Sequence, residues 1–304
     1  MHRQWSWIYQ LPFLILVVGI CSSASFAGPL VLLSPESSNS RAINEIVDGI
    51  ESSDPTALTR ISDSPILDPD TIGSDINAVI VLGKDLLSQP SLTEIDLPVI
   101  GGAFTGNLNS ELPITTVALE IEPSVLFREI EKTGFPLKAV WTVTSPEHNV
   151  DLIEAARAEA EDQGLTLNVL RAQGRRSIAR AWFDVLQDID PASEAIWISD
   201  STLLEESGSY KYIVETAWKN DVMVASHLPR YARRGIAIGF VPDLALYGKK
   251  LASLATDPTS ITSKRAWIST DVAQRVLNQR TLEHIGMRLP ADIDQLGKDD
   301  LVLK

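Results

Sequence analysis

The 304-residue sequence predicts an α/β fold of two doubly wound, Rossmann-like lobes, and three observations carry that reading. The first is one β-α-β unit over residues 139–172. An apolar run, 139–143, stops at Ser145-Pro146, a helix start in which Ser can cap free N–H groups and Pro fits the first turn. Ile153, Ala156 and Ala160 then fall at helical spacing, Gly164 ends the helix, and 165–170 reads as a second strand. The second observation is recurrence: strand, polar turn and helix repeat in both halves of the chain. The third is the run NAVIVL, 77–82, whose unbroken apolar character suits a parallel strand buried on both faces.

The elements follow in order. Residues 1–27 read as a cleaved signal peptide: Arg3 in a weakly basic start, an apolar run 11–20, and a small-residue site at Ser25-Phe26-Ala27. The run is shorter than the ~18 apolar residues of a span and is interrupted by Pro12. Acylation at Cys21 is disfavoured by the bulky Ile20 before it. A periplasmic location is therefore expected. Residues 29–33 form a strand, Ser34 to Ser38 a polar turn, and Ile43, Ile46, Val47 and Ile50 mark a helix. The stretch 54–71 is irregular, with one short strand around 57–61. Strand 77–82 ends at Gly83-Lys84, and strand 97–101 runs into Gly102, Ala103, Phe104 and Thr105. Strand 114–119 leaves the first lobe and helix 123–133 opens the second. Helix 176–186, strand 195–198, helix 205–219 and strand 222–225 continue it. Strand 236–240, helix 244–255 and strand 266–269 follow, and 271–285 reads as mostly helical.

Composition and motifs narrow the function. Cys21 is the single cysteine, so the mature chain has no thiol chemistry. A net charge of −14 leaves no basic surplus for nucleic acid, and the cluster Arg171, Arg175, Arg176 and Arg180 reads as a solvated helix start. No dinucleotide-binding glycine pattern, phosphate loop, nucleophile elbow or zinc-binding helix is present, so no enzyme and no cofactor is expected. His148, His227 and His284 are scattered, without metal-ligand spacing. What the chain does supply is polar residues at strand ends: Ser37, Ser38, Gly83, Lys84, Thr105, Ser145, Asp200, Ser226 and Asp243. If the lobes face each other these loops converge on one cleft. Hydroxyls and helix N-termini suit a carboxylate, and Asp200 or Asp243 an ammonium group; taken singly, each serine reads first as a helix cap, and the set together makes the stronger case for a site.

Two late segments carry a family resemblance. Gly235 through Gly239 to Asp243, with Tyr247-Gly248-Lys249-Lys250-Leu251-Ala252, and Asn278, Thr281, Gly286 and Pro290 resemble the substrate-binding proteins of ABC transporters of the tryptophan- and tyrosine-uptake type. Leu282 stands where that family has Ala, and Leu244-Ala245 where it often has an aromatic pair. The resemblance implies a type I periplasmic binding protein with a three-crossover hinge. It places lobe 1 at 28–117 plus 228–256 and lobe 2 at 118–227 plus 257–304. It further implies a monomer that captures a small polar solute, an amino acid or similar carboxylate, and delivers it to an ABC permease. The alternative is a ligand-sensing or scaffold protein partnering a membrane receptor such as a histidine kinase.

Overall fold

The computed structural model describes residues 28–62, 75–105, 114–146, 150–200, 203–204, 208–227, 231, 234–257, 266–288 and 301–303. The expected signal segment and His148 lie outside them. The first lobe begins with β1 (Gly28–Leu33), α1 (Pro35–Ser38), α2 (Arg41–Ser53), β2 (Leu58–Ile61), β3 (Ile76–Leu82), α3 (Lys84–Leu87), β4 (Val99–Gly102) and β5 (Thr115–Ile121). The second contains α4 (Pro123–Lys132), β6 (Ala139–Thr144), α5 (Val150–Asp162), β7 (Thr166–Arg171), α6 (Arg175–Asp188), β8 (Glu194–Ile198), α7 (Tyr210–Lys219), β9 (Met223–Ser226) and β10 (Ile238–Pro242). The chain then returns to the first lobe with α8 (Leu244–Thr256) and β11 (Ala266–Thr270). It ends in the second with β12 (Ala273–Asn278), α9 (Gln279–His284) and β13 (Leu301–Leu303).

The two sheets repeat one plan. The first runs β11-β5-β4-β3-β1-β2 with every pair parallel; the second runs β13-β12-β10-β9-β8-β6-β7, parallel except where β12 meets β10. In each, the second strand lies outside the first, so the order reverses beside the lobe's opening strand, which defines a topological switch point. Burial follows from this: β1 is buried at all six residues and β3 at six of seven, because helices cover both faces. Four apolar clusters, one on each face of each sheet, form the core.

Against one face of the first sheet α2 and α8 cross with their backbones in near contact. A Cβ on Gly49 would lie 2.2 Å from the Ala245 carbonyl oxygen, and one on Gly248 would lie 2.1 Å from that of Ile46. Glycine is required at both positions by space alone. The second lobe is filled instead by Trp182, Trp197, Phe127 and Phe240, all fully buried.

Three crossovers join the lobes, after β5, after β10, and between β11 and β12. They are tied to one another: Glu122 N–H donates to the Thr270 carbonyl (2.8 Å), Asp243 N–H to that of Val272 (3.3 Å), and Val272 N–H to Thr270 Oγ1 (3.2 Å).

The expected lobe boundaries differ from this pairing in two places. Residues 238–242, assigned to lobe 1, pair as β10 with β9 and β12 in the second sheet; 266–270, assigned to lobe 2, pair as β11 with β5 in the first. The third correction is β12. Its Ala-Gln-Arg composition favours a helix locally, but the open edge of β10 supplies a ladder of five paired residues, and the helix forms only from Gln279.

Candidate functional site

The carboxyl ends of the strands carry the polar residues that the sequence singles out, and most of them bond to the protein itself. At the end of β1, Ser34 accepts from the Ser37 N–H (3.2 Å) and donates to Ser37 Oγ (2.9 Å), capping α1; the exposed Ser38 hydroxyl donates to the Pro35 carbonyl (2.8 Å). Gly83, at the end of β3 with φ +105°, lies against this turn, since a Cβ there would sit 3.1 Å from Ser37 Oγ. Lys84 is exposed. The first switch point is thus a closed knot of small residues. In the second lobe, Ser145 N–H donates to Asp200 Oδ2 (3.1 Å), while Asp200 Oδ1 accepts from Leu203 N–H (3.4 Å). The Ser226 hydroxyl is buried and donates to the Ile198 carbonyl (2.9 Å). Asp243 caps α8, its Oδ1 accepting from Leu246 N–H (2.9 Å).

Between the lobes, beside the hinge, is a cavity of about 330 Å³. The first lobe contributes Ala42 of α2, Thr105 after β4, and Leu119 and Glu120 of β5; the second contributes His227 after β9 and Val241 and Pro242 of β10; Leu244 opens α8. Of the nine candidate residues only Thr105 lines it, and Asp243 lies between two that do. The cavity therefore sits on the β4, β5, β9 and β10 side, displaced from the switch points towards the crossovers.

Its walls are held from behind. Tyr247 of α8 is fully buried; its hydroxyl donates to the Val117 carbonyl and accepts from Ala103 N–H (3.0 Å). Burial pushes the Tyr247 phenol above its ordinary range, outweighing the bond from Ala103, so it stays a donor at any physiological pH. Ala103 adopts a positive φ of 58°, and Leu119 N–H bonds the Phe104 carbonyl (2.9 Å), which lays the β4 exit along β5 and places Thr105. On the other side the Trp197 indole N–H donates to His227 Nδ1 (2.9 Å). An accepting Nδ1 carries no proton, so the bond assigns the neutral Nε2–H tautomer.

Glu120 and His227 are 5% and 3% exposed, and Glu120 Oε2 and His227 Nε2 are both shielded from solvent. The wall is consequently almost all carbon. The sequence offers signals for these residues only in retrospect: Glu120 is a lone acid in the apolar strand TTVALEI, and His227 directly follows Ser226.

A second hollow, of about 550 Å³, lies at the opposite, amino-terminal edge of the second sheet, lined by Val214, Trp218, Gly235 and Arg280 among others. Trp218 stacks there on His284 with ring centroids 3.8 Å apart. It belongs to one lobe only. Among the described residues no cluster of His, Cys, Asp or Glu could hold a metal ion, and no helix is long and apolar enough to cross a membrane.

No family model and no curated protein matches the chain. Solved structures do. A ligand-free, open substrate-binding protein with adhesive properties from Clostridium difficile superposes with a TM-score of 0.58 at 12% identity, covering 91% of this chain and 98% of the other. A conserved-domain protein from Vibrio cholerae gives 0.51 at 14%, covering 91% and 100%. An ABC domain in complex with L-Trp from Streptococcus pneumoniae gives 0.50 at 16%, covering 90% and 99%. The fold is that of the type I periplasmic binding proteins. The 330 Å³ cavity lies between the two α/β lobes, beside the three tied crossovers.

Proposed function

We propose that the protein is a periplasmic solute-binding protein of the ABC-transporter type, akin to the tryptophan- and tyrosine-uptake group. A small solute enters between the lobes and is handed on to a membrane permease without turnover. The observation that carries this reading is the cavity, because residues of both lobes line it beside the hinge. A solute touching both walls gains contacts only when the lobes come together, so it shifts an open–closed equilibrium towards the closed form that a membrane partner reads. The hydrogen-bonded crossovers supply the hinge. Named neighbours of the same fold, a substrate-binding protein and an L-Trp complex, support the assignment to solute capture.

The test is a thermal-shift screen of the purified chain with amino acids, small carboxylates, sugars and neutral organic molecules. A ligand at ~100 times its dissociation constant adds about 2.7 kcal/mol and raises the melting temperature; a screen with no shift at all removes the reading. Cross-linking in membranes then separates transport from sensing, since capture of a permease supports the first and capture of a receptor kinase the second.

A further inference from the structure

Within the solute-capture reading, on which this inference rests, we infer that the cleft is built for a compact, neutral, apolar molecule, an aromatic or alicyclic body carrying neither ammonium nor carboxylate. The strand-end residues that would suit a zwitterion are spent elsewhere: Asp200 accepts from the backbones of Ser145 and Leu203, Asp243 from that of Leu246, and Ser226 donates to Ile198. The cavity wall is instead the carbon of Ala42, Leu119, Val241, Pro242 and Leu244.

The two ionisable residues that line it present it little polar surface. His227 turns Nδ1 to Trp197 and keeps Nε2 out of solvent, so its carbon surface faces the cavity. Glu120 likewise keeps Oε2 out of solvent; its carboxyl disfavours an anion, and whether it draws in an amine is what the tryptamine arm below decides. A charged solute entering this space would give up its hydration against a carbon wall, whereas an apolar one gains by leaving water. An apolar wall offers a water few hydrogen-bond partners, so a small apolar molecule can take its place at little cost.

The experiment is calorimetric titration of the purified chain with one bicyclic body in four charge states, namely indole, tryptamine, indole-3-propionate and tryptophan, together with cyclohexanol and glucose. The expected result is binding of indole or cyclohexanol at least ten-fold tighter than any of the three charged relatives. A second arm uses Ala42→Phe, at an exposed helix position whose new ring fills the cavity; it should weaken the neutral ligand at least ten-fold. Tighter or equal binding of tryptamine, indole-3-propionate or tryptophan overturns the inference, as does unchanged affinity in the Ala42→Phe chain. Binding of glucose alone, or of tryptophan alone, overturns it while solute capture stands. No binding here or across the broad screen overturns both.

Discussion

The two lobes share a strand order but are packed by opposite means. In the first, two helices are brought together by the absence of side chains, at Gly49 and Gly248, and the sheet they cover is entirely parallel. In the second, bulk does the packing, and the antiparallel strand carries a buried ion pair: Arg275 of β12 meets Glu129 of α4 at 2.8 Å, and Lys132 joins the same carboxylate at 2.7 Å. The difference teaches that one topology fixes the position of a cleft but not the chemistry that stabilises its walls. The lobes should therefore fail differently, and four substitutions test this.

The largest effect is expected from Gly248→Ala. Its Cβ would meet backbone, which cannot swing aside, so overpacking should cost about 3 kcal/mol or more. Hydrogen exchange should quicken in β1 and β3 and leave β8 and β9 protected; uniform loss in both lobes would break the comparison. Arg275→Met should cost about 2–3 kcal/mol, less than removing a sole partner because Lys132 remains beside Glu129. Here denaturant unfolding with exchange read at β10 and β12 should show the loss confined to the second lobe.

Tyr247→Phe deletes one donor and one acceptor at the back of the cleft and should cost about 1–3 kcal/mol, leaving the Val117 carbonyl and Ala103 N–H without the hydroxyl. Ligand affinity should fall along with stability, because the β4 exit that places Thr105 loosens; an unaltered affinity would uncouple that wall from the site. The smallest effect is Lys250→Ala, below about 1 kcal/mol, since Asp271 is more than half exposed. Burial alone would raise the Asp271 carboxyl, but the hydrogen bond and charge of Lys250 outweigh it and hold it below the ordinary value of 3.8. A lowered carboxylate contributes stability above its unfolded value and loses it as pH falls through the folded one. The difference between wild type and Lys250→Ala should be full at neutral pH and fall away as the pH drops below the ordinary carboxylate value of 3.8.

The frame of the molecule was legible because buried parallel strands are written as continuous apolar runs. Strand 77–82 needed no more than that, and the repeated strand–turn–helix order carried the two lobes. β12 was not legible, because its local preference is helical and only the vacant edge of β10, a partner over thirty residues upstream, makes it a strand. The same limit governs the cleft. Sequence marks residues that can bind or cap, and Asp200 and Asp243 turned out to accept from backbone N–H groups of their own lobe, Asp200 from that of Ser145. Carbon walls such as Leu119 and Val241 carry no mark of their own, since they resemble any other strand residue until two lobes are set side by side.

The α2–α8 crossing also sets an order of assembly. The first lobe opens the chain, yet the helix that seals it arrives at Leu244 and its edge strand at Ala266, after almost the whole second lobe has been made. Strands β1 to β5 therefore wait with one apolar face covered by α2 alone until residues 122–242 have been made. Neither lobe is complete until the last part of the chain is made, the first at β11 and the second at β13, and the first spends the longer interval open to chaperones and to aggregation.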